Sequence, residues 1–269
     1  MSGYVTEANV RANTVKKVLR AGGTAIGLWI EDVPSPERVE LFGYVGFAFV
    51  ILDAEHAPLN PHVCLNLVRA CELTNLTPIV RVPDHAPATI LSYLETGVLG
   101  IYAPHVRTAA DARGIVEAVK YAPDGRRGSG GSTRVARYGL RQTAPEYFRD
   151  ANDETMVCIL VEDEIGIGNL DEILSVDGID CVDLGAGDLS HSFGVPGETK
   201  HPRVREAMER AEAIILASGV PWICEPHSVA DALRDVSRGA RLVPFVERKL
   251  TIEFLSSLLA DARSAAAGA

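Results

Sequence analysis

Eight short apolar runs recur along the chain, each followed by a longer stretch with helical spacing. They are AIGLWI (25–30), FAFVILD (47–53), TPIVRV (77–82), GIYAPH (100–105), MVCILVE (156–162), CVDLGA (181–186), PWICE (221–225) and RLVPFV (241–246). The runs do not alternate apolar with polar residues, as suits strands buried on both faces of a parallel sheet. The stretches between them carry helix punctuation. Ser35 before Pro36, and Asn60 before Pro61, place a capping side chain ahead of proline at the first helical position. Thr108 with Asp111, and Ser228 with Asp231, resemble capping boxes with Asp in place of Glu. Gly97, Gly219 and Gly239 stand where helices should stop. Eight βα units in about 250 residues predict one α/β domain over 1–269, either a closed (β/α)₈ TIM barrel or a large open doubly wound sheet. No GxGxxG follows the first run, which weakens the dinucleotide-binding form of the open sheet.

One connection is too long for a barrel. Residues 122–155 hold Arg126, Arg127, Arg134, Arg137 and Arg141 among several glycines. A loop of that size inside a compact domain is usually functional or an interface element. It either packs on another subunit, or covers the barrel mouth and helps hold an anion.

Composition narrows the partners. Net charge is −10, which argues against nucleic acid and anionic membranes. An anionic substrate then needs a local positive centre, an arginine or a metal. Apolar residues make up 47 % of the 269, enough for a large core, and no run reaches the ~18 apolar residues of a membrane span. The five cysteines form no CxxC and read as buried, reduced thiols of a cytoplasmic protein. The first 17 residues lack the apolar stretch of a signal peptide, and the Ala-rich end at 262–269 reads as a frayed tail.

In such barrels the chemistry sits at the carboxyl ends of the strands. Asp53, Glu55 and His56 follow the second run, Arg81 lies in the third, Glu162 ends the fifth and Asp188 follows the sixth. His56 and Arg81 are 25 residues apart, and Glu162 and Asp188 are 26 apart, so each interval is one βα unit. Adjacent strands lie about 4.8 Å apart, so such residues can meet above neighbouring strand ends. Two carboxylates side by side repel, and a cation removes that cost. Two carboxylate oxygens completed by water and substrate suit Mg²⁺ or Mn²⁺, with Co²⁺ as a further candidate. Arg81 interrupts an apolar strand and is either a clamp on a substrate oxyanion or half of a structural ion pair. Asp53 can orient His56 as a general base. None of the five lysines lies inside a predicted strand, which favours metal-stabilised enolate chemistry over an imine.

The stretches DAEHAP (53–58), IVRVP (79–83), LETG (94–97), LVEDEIGIG (160–168) and GAGDLS (185–190) resemble the HpcH/HpaI family of metal-dependent class II pyruvate aldolases. The likeness covers nearly the whole chain. It implies a phosphoenolpyruvate/pyruvate-type barrel, a homohexamer built as a trimer of dimers, and a last helix exchanged between subunits. It also implies that Glu162 and Asp188 bind the metal. Backbone N–H groups near Gly187 and Asp188 would hold the carboxylate of pyruvate. Arg81 would stabilise the enolate oxygen, and His56, oriented by Asp53, would move the proton. The expected reaction is reversible aldol cleavage of a 4-hydroxy-2-oxo acid to pyruvate and an aldehyde.

Two positions depart from the family pattern. Glu95 stands where an Asp of the acid–base network is usual, and is carried over as a catalytic candidate. Leu160 replaces the Gln usual two residues before the metal-binding Glu. These departures leave two further readings. One is a citrate-synthase-like condensation of oxaloacetate with acetyl-CoA, as in siderophore pathways, or a decarboxylation of a 2-oxo acid. The other is a barrel that only binds a small acid.

Overall fold

The computed structural model describes residues 10–267. Its eight strands are all parallel and close into a barrel in sequence order. They are β1 (Ala25–Ile30), β2 (Phe49–Asp53), β3 (Thr77–Arg81), β4 (Gly100–Ala103), β5 (Met156–Val161), β6 (Cys181–Leu184), β7 (Trp222–Ile223) and β8 (Ala240–Val246). Pairing of β8 with β1, from Ala25↔Leu242 to Trp29↔Val246, closes the ring and removes the open-sheet alternative. The apolar runs overshoot the strands at residues 82, 104–105, 162, 185–186 and 224–225, where the chain leaves the ladder to build the mouth.

The helices are α1 (Thr14–Arg20), α2 (Pro36–Val45), α3 (Pro61–Thr74), α4 (Pro87–Leu94), α5 (Ala109–Val119), α6 (Ala144–Glu154), α7 (Glu164–Gly168), α8 (Leu170–Leu174), α9 (Ala186–Ser192), α10 (Pro202–Ser218), α11 (Val229–Arg238) and α12 (Glu247–Ala267). The caps read from sequence are made. The Ser35 and Asn60 side chains accept from the N–H of Arg38 and Val63, and Thr108 with Asp111 forms a reciprocal box. Ser228 accepts from the Asp231 N–H.

Strand residues alternate between two cores, as a closed sheet requires. Trp29, Phe49, Ile51, Ile79, Tyr102, Cys158, Leu160 and Leu242 fill the barrel, with Val15 and Leu19 of α1 joining that cluster. Val50, Leu52, Val80, Ile101, Val157, Ile159 and Val182 face outward into the core beneath the helices. Each such fully buried side chain contributes about 1.5–3 kcal/mol. The five cysteines are free and buried. Among the described residues no helix is long and apolar enough to cross a membrane.

Three expectations change. Residues 122–155 are not a bare loop, since α6 lies in them, started by a capping box of Thr143 and Glu146. The excursion leaves from the end of α5 and re-enters at β5, so it packs at the amino-terminal end of the barrel. Arg134 pairs there with Glu72 at the end of α3, and Arg127 with Glu95 at the end of α4. Within the protomer it does not cover the mouth. The expected frayed tail is helical through Ala267, while residues 268–269, and 1–9 of the segment read for a signal peptide, lie outside the described residues.

Candidate active site

The carboxyl ends of the strands surround a groove of about 490 Å³ lined in part by Trp29, His56, Arg81, Leu160, Glu162 and Asp188. Its deepest charged pair comes from neighbouring strands. Asp53 and Arg81 are direct register partners on β2 and β3. The Arg81 Nε donates to Asp53 Oδ1 at 3.0 Å, and its second nitrogen donates to Oδ2. Arg81 Nε also lies 3.3 Å from a Glu55 carboxylate oxygen. Its guanidinium stacks 4.9 Å from the Trp29 ring centre, and Trp29 packs edge-on to Tyr102 at 5.1 Å. The Tyr102 hydroxyl donates to Asp183 Oδ2 at 2.7 Å, which continues a polar chain into the barrel centre. Burial alone would raise the Asp53 carboxyl, but the Arg81 hydrogen bonds and charge, with two main-chain N–H groups, hold it below its ordinary value. Asp183 is also buried, with no cation in hydrogen-bond contact among the described residues, and burial pushes its carboxyl well above the ordinary range.

Glu162 leaves β5 at the rim and is 4 % exposed. Its Oε1 accepts the His105 main-chain N–H at 2.9 Å and lies 2.8 Å from His105 Nδ1. His105 Nε2 lies 2.9 Å from Glu55 Oε1, so this ring bridges the ends of β2 and β5. Gly185 leaves room for the Glu162 side chain. A Cβ there would stand 2.6 Å from Glu162 Cβ and 2.9 Å from Oε2. Asp188, in the first turn of α9, is exposed and close enough to share a hydrogen bond with Glu162. Burial first, then Asp188 and Glu55, push the Glu162 carboxyl up to about 8, although the His105 N–H opposes this. Two touching carboxylates, one buried, are a donor set short of positive charge, and a hard divalent cation fits it. Among the described residues no three or more His, Cys, Asp or Glu gather as a ready-made metal cage. The pair therefore leaves the remaining coordination positions to water or substrate.

Comparison with known proteins decides the family. The profile of the HpcH/HpaI aldolase/citrate lyase family matches residues 25–244. The chain belongs to this family. A hydroxypyruvate/pyruvate aldolase of Sagittula stellata is 37 % identical over 209 residues, 78 % of this chain and 81 % of that one. A 4-hydroxy-2-oxo-heptane-1,7-dioate aldolase of Escherichia coli is 36 % identical over 207 residues, 77 % of this chain and 78 % of that one. The crystal structure of the citrate synthase SbnG superposes with a TM-score of 0.81 at 28 % identity, covering 93 % of this chain and 98 % of that one. The expected carbon–carbon lyase class thus holds for this HpcH/HpaI member.

The structure brings His56, Arg81, Glu162, Gly187 and Asp188 to one groove. Asp53 sits beneath them, but it does not orient the His56 ring. Its oxygens are taken by Arg81 and by the main-chain N–H groups of Glu55 and His56. The His56 ring is 64 % exposed, with Nε2 4.0 Å from Glu55. Glu95 is not at the mouth of this HpcH/HpaI protomer. It is the C-cap of α4, at the opposite end of the barrel, and accepts from Arg127 at 3.0 Å. A helix that follows a strand returns to the strands' amino ends, so its last residue cannot reach the carboxyl ends.

His105, Asp183 and Lys249 were missed, and Glu55 was placed at its strand end without a role. Glu55 and His105 carry ordinary strand-end signals, and His105 sat inside a predicted strand. At Asp183 an acid inside an apolar run was the available signal. Lys249 follows β8 and enters the groove from the start of α12, although no strand carries a lysine.

Proposed function

We propose that this chain is a class II aldolase that reversibly cleaves a 4-hydroxy-2-oxo acid to pyruvate and an aldehyde, with Mg²⁺ or Mn²⁺ held by Glu162 and Asp188. The observation that carries this reading is the touching Glu162–Asp188 pair beside the buried Arg81 in one groove. A divalent ion bound there supplies Lewis-acid polarisation of the 2-oxo acid. The chain supplies the rest. His105 fixes one oxygen of Glu162 and leaves the other facing Gly185 and α9. The first-turn N–H groups of Gly187 and Asp188 have no intrahelical acceptor and suit the substrate carboxylate. Arg81, clamped by Asp53 and Glu55, keeps its charge where negative charge collects on the 2-oxo oxygen. In the cleavage direction His56, through water, takes the proton of the 4-hydroxyl. The C3–C4 bond breaks, its electron pair delocalises toward the 2-oxo oxygen, the aldehyde leaves, and C3 is reprotonated to give pyruvate.

The experiment is incubation of the pure protein with Mg²⁺ or Mn²⁺, pyruvate and a panel of aldehydes. Carbon–carbon bond formation and exchange of the pyruvate α-protons in D₂O are followed. Both are expected, and both should fall by about 10²-fold or more in Glu162→Gln. Absence of both in the parent would overturn the reading. One observation favours a second reaction on the same site: Leu160, 3 % exposed, gives the groove an apolar wall. Release of CoA from acetyl-CoA and oxaloacetate would assign the chain to citrate-synthase-like condensation instead.

The assembly we propose is a cytoplasmic hexamer with α12 exchanged between subunits. Its support is α12 itself: beyond Glu247 every described residue of the helix is exposed, including Ile252, Phe254, Leu255, Leu258 and Leu259. The cytoplasmic reading rests on the five unpaired thiols.

A further inference from the structure

The amino-terminal end of the barrel carries a second charged cavity that the proposed reaction does not use. It holds about 50 Å³ between the 122–155 excursion, the ends of α3 and α4, and the start of α1. A water-sized atom needs ~10–15 Å³ of such space, so the cavity takes a few oxygen-sized atoms. Its charged lining is Arg11, Arg127, Arg134, Arg137 and Glu72, with Glu95 just behind Arg127. The balance is positive: four guanidiniums face two carboxylates.

Two of the four are neutralised. Arg134 pairs with Glu72 at 2.6 Å and Arg127 with Glu95 at 3.0 Å. The other two make no ion pair among the described residues. The Arg11 Nη2 donates to the main-chain carbonyls of Cys71 and Leu76, while its Nη1 is buried without a hydrogen-bond partner among the described residues. The Arg137 side chain has no partner among the described residues and stands exposed, which leaves the cavity reachable from solvent. Burial, and then the Arg137 charge, lower the Arg11 pKa against the pull of Glu72. Arg127 adds a second orphan: its guanidinium stacks 4.5 Å from the Tyr121 ring centre, yet its Nε is buried with no hydrogen-bond partner among the described residues. Buried donors without acceptors are rare in folded proteins because each forfeits its hydrogen bonds to water. Here two such donors and two guanidiniums without an ion pair line one cavity, beside a single unpartnered acceptor among the described residues, Glu95 Oε2, behind Arg127.

We propose that this cavity binds one small oxyanion, phosphate or a compact carboxylate, held by Arg11, Arg127 and Arg137. Guanidinium forks match the oxygen pairs of either group. The bound anion would tie the 122–155 excursion to the ends of α3 and α4, far from the mouth. This cavity is separate from the mouth and does not depend on the reaction there.

The test is thermal unfolding of the full chain with Mg²⁺, titrated with phosphate, sulfate or acetate while NaCl keeps ionic strength constant. The variant is Arg137→Gln, because Arg11 also closes main-chain carbonyls and its loss can unfold the end of α3. The parent should show a saturable rise in Tm. Arg137→Gln should need at least tenfold more anion, and without anion it should be no less stable than the parent, since a like-charge neighbour of Arg11 is gone. A response to phosphate and sulfate but not acetate assigns a tetrahedral oxyanion, and a response to acetate as well assigns the site to carboxylates too. No saturable rise in the parent, or the same midpoint in Arg137→Gln, overturns the proposal.

Discussion

At the scale of single residues, the site depends on a side chain that is absent. Gly185 has an ordinary φ of −88°, so its backbone could accept alanine without strain. What forbids a methyl group is Glu162, whose Cβ and Oε2 would lie 2.6 and 2.9 Å from it. Overpacking of that kind costs about 1–3 kcal/mol of stability. Gly185→Ala should also turn the Glu162 carboxylate away from Asp188. Mn²⁺ affinity, measured by calorimetry, should fall about 10–100-fold, the range for groups that orient a metal ligand. An unchanged affinity would remove Glu162 as a ligand. The same scale explains why Arg81 was legible and its partner was not. A cation inside an apolar strand has to be matched, but sequence gave no reason to prefer Asp53 over a substrate. Register answered it by making the two residues direct partners.

At the scale of elements, the packing of α1, α5 and α6 against the strands' amino ends encloses two lysines. Lys16 of α1 pairs with Asp180 at 3.1 Å. Lys120, the C-cap of α5, donates to the carbonyls of Asn152 and Thr155, each at 2.6 Å. Burial first, and then the Lys16 charge, lower the Lys120 pKa to about 7. An unfolded lysine titrates near ~10.4. Between these values the unfolded chain holds the extra proton, so this group's contribution to stability rises with pH. Below pH ~7 both states are protonated and the contribution is flat. Lys120→Met should therefore be more stable than the parent by a constant amount below pH 7. That advantage should shrink by up to about 1.4 kcal/mol per pH unit between pH 7 and 8.5. Urea unfolding of the two proteins across pH 6–8.5 checks this, and a pH-independent difference would mean Lys120 stays charged when folded.

At the scale of the whole molecule, α12 is the unfinished part. It is 21 residues long and leaves the barrel after Glu247 with its large apolar side chains in solvent. Phe254 and Leu258 are four residues apart and so share a face. If α12 packs on other subunits, Phe254→Asp with Leu258→Asp should reduce the particle to lower mass by light scattering. The circular dichroism of the barrel should be retained, because α12 contributes little to the protomer's own core. An unchanged mass would overturn the exchanged-helix reading.

The eight strands and the principal caps were legible in the sequence, because a strand buried on both faces must be apolar throughout and a helix start must satisfy its first N–H groups locally. Those signals are short-range. The carboxyl-end residues could also be listed, since the fold places every strand end on one rim. Tertiary structure alone decided which of them meet. It gave Asp53 to Arg81 rather than to the His56 ring, set His105 between Glu55 and Glu162, and sent Glu95 to the far end with α4. Those outcomes depend on register, on side-chain direction and on which end of the barrel a helix returns to. No local pattern of residues encodes them.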